Sequence, residues 1–467
     1  MPPNFIECDP EQAFLMPPDV REWLPEGHLA WFVKAAVSEM DLSAFYGAYR
    51  ADGHGRAAYE PSMIVAVLLY AYARGVRSSR AIERALEEDV AYRVLAANER
   101  PDHATLARFL ERHEEALAGL FGEVLGLCAE AGLVESGVIA IDGTKIAANA
   151  SRDAERDYEQ IAGEILAQAQ AVDRAEDERF GQARGDELPP HLSTHGGRRA
   201  WLRDAKRRHE ERRAQEARPV ARSRPKRLRE AKRRLEEELE VERRANDAYD
   251  AYRARGVMKD GRRFGRPPKP YEPPAKPEGT VNLTDPDSRL LKATRGWIQG
   301  YNAQAAVSED QIVLAAEVTI DSGDFGHLEP MVEATEAELK RAGRSERPQV
   351  ALADAGYWHQ KQMENVVNRG IQVLIPPDST KRTEARAGWK GGYYAFMRRV
   401  LATERGGGLY RKRQATIEPV FGNTKFNRGF DRFGRRGRSA ARCEWRLIAA
   451  THNLLKLHQH KIAPAGA

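Results

Sequence analysis

Apolar residues recur at helical spacing near the start of the chain. Pro25 to Met40 and Ser62 to Gly75 both carry them, and each is read as a helix with a face turned to a core. Ser78-Ser79 opens a further periodic run to Leu86, and serine is a favoured helix cap. Asn98 to His103 is rich in breakers, and a helix is expected from Ala104 to Ala118. Short helices, a turn and a helix bearing Arg108 and Arg112 suit a helix-turn-helix; an ordinary bundle with a charged outer face is the plain alternative. The pattern then shortens. Val138-Ile139-Ala140-Ile141, three of them β-branched, runs straight into Asp142 and Gly143. That is the pattern of a buried strand with a carboxylate at its carboxyl end, where open α/β sheets place their chemistry. An Asp-Gly hairpin turn is the competing reading.

Val350-Ala351-Leu352-Ala353 has the same build, ending on Asp354 with Gly356 close behind. Thr294 to Val307 and Gln311 to Ile320 read as a hairpin, and Ile371 to Ile375 as another strand. Phe325 to Ala342 and Gln360 to Arg369 read as helices. Thr380 to Gly408 is basic and glycine-rich, a surface segment. Gln414 to Lys456 returns to helical spacing, interrupted by the basic loop Gly429 to Arg438. Phe430 and Phe433 in that loop are read first as core and second as a stacking surface for an unpaired base.

A long charged stretch separates the two strand-and-aspartate motifs. Asp153 to Phe180 reads as helical. From Arg198 to Arg244, opposite charges at helical spacing favour long solvated helices, with Pro219 and Pro225 as breakers and a helical hairpin or coiled-coil arm as the outcome. Basic residues dominate Arg218 to Arg234, which admits a nucleic-acid contact beside the plainer solvated face. Gly265 to Pro270 and the prolines after it read as an extended linker, with a minor-groove arm as the alternative.

At 467 residues the chain is long enough for two or three domains, and a 42% hydrophobic share builds real cores. Net charge is only +5, so any basic surface depends on local distribution. Cys8, Cys128 and Cys443 match neither a disulfide framework nor a zinc spacing, which suits a reducing cytoplasm. The first residues lack a signal-peptide pattern, and the apolar run Met63 to Ala73 is too short to span a membrane. A cytoplasmic protein is expected. The sequence has no Gly-rich loop ending in Gly-Lys-Ser/Thr, no Cys-x-x-Cys and no Gly-x-Ser-x-Gly elbow.

The ordered motifs carry a resemblance. They are Ile141-Asp142-Gly143-Thr144-Lys145, the run Trp297 to Gln304, Leu352-Ala353-Asp354-Ala355-Gly356-Tyr357-Trp358, and Glu418-Pro419-Val420-Phe421-Gly422 followed by Lys425 and His452-Asn453-Leu454. In this order they resemble the DDE transposases of bacterial insertion sequences. The resemblance implies an α/β fold: an RNase H-like catalytic domain, an N-terminal all-helical domain and, here, a long charged helical insertion. The implied divisions are 1–135 for the helical domain that recognises element ends, 136–150 with 281–460 for the catalytic domain, and 151–280 for the insertion and linker. It implies Asp142, Asp354 and Glu418 as the catalytic acids, Asp142 bridging two Mg2+ ions and the other two each completing one, with Mn2+ as a substitute. Lys425 and Arg413 are carried over as phosphate contacts, although Tyr410 and Arg413 each stand one residue further from Glu418 than the family signature has them. Lys145, Arg80, Arg84, Arg108, Arg435 and Arg436 complete the expected DNA contacts. The implied partners are double-stranded DNA, as inverted terminal repeats and target, and a second copy of the chain. A non-catalytic DNA-binding descendant and a nuclease without strand transfer are the rival functions.

Overall fold

The computed structural model describes residues 22–49, 57–135, 137–164, 205, 206, 209, 223–256, 271–293, 296–378 and 391–462. The chain divides into two compact units. One is Met1–Val134 with Arg341–Arg344 and Leu447–Ala467; the other is Glu135–Lys340 with Ser345–Arg446.

The first unit is helical: α1 (Leu29–Glu39), α2 (Ser43–Tyr46), α3 (Pro61–Ala73), α4 (Ser79–Glu88), α5 (Val90–Leu95), α6 (His103–Arg112) and α7 (Glu114–Glu130). α3 is apolar all round and buried from Ile64 to Ala73, so it is the centre of the unit. α4 and α6 bury only a stripe, Ile82 and Leu86 on one and Leu106, Phe109 and Leu110 on the other. The single helix expected from Ala104 to Ala118 is two helices. His113 leaves the helical backbone at φ −109° and ψ 29°, and its buried ring lies 4.4 Å from Phe109 and 5.3 Å from Phe45. Asp102 caps α6, its Oδ1 accepting the Thr105 N–H at 2.6 Å, while Ser78 precedes α4 without a side-chain cap bond. Residues of the last helix from Leu447 onward complete this unit, with Leu447, Ile448, Leu454 and Leu457 buried.

The second unit is a mixed α/β structure. In chain order it has β1 (Val138–Ala147), β2 (Glu155–Asp157), α8 (Arg224–Ala254), β3 (Thr280–Asn282), β4 (Arg289–Ala293), β5 (Gly296–Ser308), β6 (Val313–Thr319), α9 (Leu328–Arg341), β7 (Val350–Ala353), α10 (Gln360–Asn368), β8 (Gln372–Leu374), α11 (Gly392–Ala402), α12 (Glu404–Gly422) and, as far as Arg446, the start of α13 (Arg438–Ile462). The sheet order is β4-β5-β1-β7-β8, with β6 also on β5. β1 is antiparallel to β5 and parallel to β7, and β7 is parallel to β8. The expected hairpin is β5 and β6.

β1 does not stop at Ile141. It continues through Asp142 to Ala147, paired with β5 throughout, and Gly143 lies opposite Gln304, so there is no Asp-Gly turn. What ends at Ile141, opposite Ala353, is the parallel pairing with β7.

The insertion is closed at its base by the antiparallel ribbon of β2 and β3. The expected helix from Asp153 therefore begins as a strand, because Glu155–Asp157 pair with Thr280–Asn282. Beside the ribbon, Ile161, Leu228, Ala231, Leu235, Val281 and Leu283 form a small core of their own. Pro225 opens α8 rather than breaking a helix, since the first turn needs no N–H from it. Pro219 and the Gly265 to Pro270 linker lie outside the described residues. The glycine-rich surface segment is helical from Gly392, and Gly406–Gly408 lie inside α12. At Gly406 a Cβ would stand 2.1 Å from the Val400 carbonyl oxygen, so the missing side chain lets α11 and α12 meet.

Candidate active site

Where the pairing of β1 and β7 ends, the next residue of each strand is an aspartate, so Asp142 and Asp354 stand side by side. Asp142 is 19% exposed, and Arg413 from α12 donates Nη1–H to its Oδ2 at 2.8 Å. Its Oδ1 accepts the Gly143 N–H at 2.8 Å. Burial pushes the Asp142 carboxyl up to about 6; Arg413 works against that and the charge of Asp354 adds to it. Burial also raises Asp354, against the Gly356 N–H that donates to its Oδ1 at 2.8 Å. Burial opposes the charge of Arg413, yet Asp142 and Tyr410 outweigh it and hold the guanidinium more firmly protonated. The Tyr410 ring lies 6.0 Å from that guanidinium, one turn earlier on α12. Two aspartates from adjacent strands and an arginine from the covering helix are thus brought together.

Glu418 is not drawn into this group. It lies five residues beyond Arg413, about 140° further round the helix, and is exposed. Its Oε2 accepts a bond from Gln414 Nε2 at 3.2 Å. Lys425 falls in a π-helical turn, Asn423–Asn427, that follows α12, so the α-helical register with Glu418 is lost. Its half-buried ammonium donates to the Lys145 carbonyl oxygen at 2.8 Å, and burial lowers its pKa, with Lys145 adding to the effect. Arg436 donates Nε–H to the Asn149 carbonyl at 3.1 Å, and the backbone N–H of Arg435 donates to buried Glu444. Phe430 and Phe433 are both 1% exposed and belong to the core. In the helical unit, Arg80 and Arg84 are exposed on α4. Arg108 on α6 is exposed too and holds the Ala104 carbonyl and Thr105 Oγ1 of its own helix.

A fourth acid stands here that the sequence did not mark. Asp324, in the loop after β6, accepts bonds on Oδ1 from Asn302 Nδ2 and Gln304 Nε2, both at 2.8 Å. Lys145 Nζ is 3.6 Å from the same oxygen. The only sequence signal for it is its place, an acid between the expected strand Gln311 to Ile320 and the expected helix from Phe325.

In donor chemistry the Asp142–Asp354 pair suits a hard divalent cation, which takes carboxylate oxygens. Among the described residues, however, no three His, Cys, Asp or Glu side chains stand close enough to hold a metal ion. The pair accounts for part of a cation site and leaves its third protein donor open. No helix among the described residues is long and apolar enough to cross a membrane.

Two family models match the chain. A "Transposase domain (DUF772)" matches residues 18–112, which include Arg80, Arg84 and Arg108. A "Transposase DDE domain" matches residues 379–458, which include Arg413, Glu418, Lys425, Arg435 and Arg436 but neither Asp142 nor Asp354. No curated protein and no solved structure matches. The two matches support the kind of protein that the ordered motifs resemble.

Proposed function

We propose that this chain, an insertion-sequence DDE transposase by both of its matched domains, cuts DNA at the ends of its element and joins them to a target at the Asp142–Asp354 site. The observation that carries the reading is the placing of those two carboxylates side by side, with Arg413 on one of them, beneath a helix that lies in the DDE match. The strand order supports an RNase H-like domain: three antiparallel strands, β6-β5-β1, followed by two that run parallel to β1.

A divalent cation bound by Asp142 and Asp354 would supply Lewis-acid chemistry, making water a better nucleophile and stabilising the leaving oxygen. The protein's own groups do the rest. Arg413 offers a fixed planar donor that can pass from Asp142 to a phosphate oxygen. Tyr410 packs beside its guanidinium and orients it. Exposed arginines on α4 and α6 are available to DNA phosphates from the helical unit, and phosphate contact by such residues makes binding fall steeply with salt. Two ends are processed together, so a dimer is the expected working form.

The test is incubation of the protein with labelled element-end DNA and Mg2+ or Mn2+, resolving hydrolysed from joined product by size. Asp142→Asn and Asp354→Asn are each expected to abolish both products, a loss of at least about 100-fold, while end binding persists. Glu418→Gln decides whether the third family acid takes part. Glu418 stands off from the pair, and among the described residues no three His, Cys, Asp or Glu side chains are placed to hold a metal ion. That favours one rival reading, a DNA-binding protein without chemistry, which retained binding with no product under either metal would establish.

A further inference from the structure

We infer that Asp324 is a positioning residue of the Asp142–Asp354 site, a fourth acid seated behind the pair that strengthens its hold on a divalent cation. The inference rests on the proposed metal-dependent reading.

The placement follows from strand register. Asn302 and Gln304 are two apart on β5, so they share a face, and they lie opposite Lys145 and Gly143 of β1. Asp142 alternates to the other face, the one that Arg413 reaches. Asp324 therefore approaches β1 from behind Asp142. It comes very close. A Cβ on Gly143 would stand 2.4 Å from Asp324 Oδ1, 2.3 Å from Gln304 Nε2 and 2.6 Å from Asn302 Oδ1. On its other side, Asp324 Oδ2 lies 3.5 Å from where a Cβ of Gly356 would be, and the same Cβ would lie 2.9 Å from Asp354 Oδ1. Asp324 thus spans from the residue after Asp142 to the residue two beyond Asp354.

A loop could be tied to a sheet with less. Here one carboxylate oxygen takes two amide donors and faces an ammonium, which leaves Oδ2 directed to the Asp354 side. A second observation points the same way. Asn302 is fully buried, its Nδ2 is committed to Asp324, and among the described residues its Oδ1 has no hydrogen-bond partner. A buried amide oxygen without a donor is costly, and here it adds a further negative dipole to the back of the site. The charges balance in pairs: Arg413 faces Asp142 from one side of β1, and Lys145 faces Asp324 from the other. Asp354 is then the surplus negative charge. Removing the charge of Asp324 would leave Lys145 uncompensated behind the pair and repel an incoming cation.

The test uses the full chain without DNA and reads free Mn2+ by its paramagnetic resonance signal during titration. Asp324→Asn keeps the shape and the oxygen that accepts from Asn302 and Gln304, and it is expected to weaken Mn2+ binding about tenfold, the lower end for a residue supporting ligands from outside the site. Lys145→Met, which does not depend on that variant folding, is expected to tighten Mn2+ binding. A loop tie without an electrostatic role would give wild-type affinity in folded Asp324→Asn and no tightening in Lys145→Met, and either result overturns the inference. Asp142→Asn separates the two levels. If it weakens Mn2+ binding and Asp324→Asn does not, the inference fails and the metal site stands. If the wild-type chain binds no Mn2+, or Asp142→Asn binds it equally well, the metal reading fails and takes this inference with it.

Discussion

Arg413 and Asp142 act on each other's protons, and that makes a pH prediction. The Asp142 carboxyl is raised to about 6, chiefly by burial, and Arg413 lowers it against that trend. A carboxyl raised on folding adds stability below its unfolded value and loses it as pH rises through the folded value. Its ionised form, the one that binds a cation, fills in over the same window. Cation binding and cleavage are therefore expected to climb as pH passes about 6, as a property of the coupled aspartate pair. Arg413→Met removes the opposing charge, so the midpoint should move to higher pH. A pH profile of Mn2+ affinity checks this, and a midpoint that stays put or falls would show that Arg413 is not the counter-ion of Asp142. The two aspartates were legible because each follows a short apolar run, a local signal. Asp324 was not, because its partners Asn302 and Gln304 lie twenty or more residues away and meet it only through their side chains, once β6 has folded back along β5. Glu418 was legible as a residue but not in its position, since that depends on the phase of α12.

The elements divide by how local their causes are. The hairpin of β5 and β6 and the apolar α3 follow from pattern alone. The end of β1 does not, because Gly143, Thr144 and Lys145 look like a turn, and only pairing with β5 keeps them extended. The π-helical turn at Asn423–Asn427 has no pattern either. The base of the insertion was hidden for a related reason: Val281 and Leu283 come from the far end of the insert to close on Leu228, Ala231 and Leu235 of α8. That core is small, so one truncation should matter. Leu235 is 1% exposed, and Leu235→Ala is expected to cost about 2–5 kcal/mol in the stability of this element. Hydrogen exchange should speed up along α8, while the amides of β1 and β5 keep wild-type protection because none of their residues belongs to that core. Equal acceleration in the sheet would mean that insertion and sheet unfold as one.

At the scale of the whole molecule, the helical unit is discontinuous in sequence. Its last piece, Leu447–Ala467, comes from the far end of the chain. Leu447, Ile448, Leu454 and Leu457 are each at most 2% exposed, the Phe32 ring lies 4.9 Å from that of His458, and Cys128 Sγ–H donates to the Asn453 carbonyl at 3.7 Å. Each of those four aliphatic side chains is worth about 1.5–3 kcal/mol when buried, and a domain's whole stability is only about 5–15 kcal/mol. Cutting the chain after Val134 should therefore remove most of the margin. The fragment Met1–Val134 is expected to melt without a cooperative transition, and any binding to DNA it shows should not distinguish element ends from other sequences. Joining Leu447–Ala467 to it through a flexible Gly/Ser linker should restore a cooperative melt, followed by circular dichroism at the helical band. With the fold restored, end-DNA affinity should fall linearly on a logarithmic salt scale, because phosphate contacts release counterions. A cooperative melt for Met1–Val134 alone would show that the C-terminal helix is dispensable to this unit. A restored fold with no preference for end DNA would move recognition out of the helical unit, with the charged insertion next to be tested.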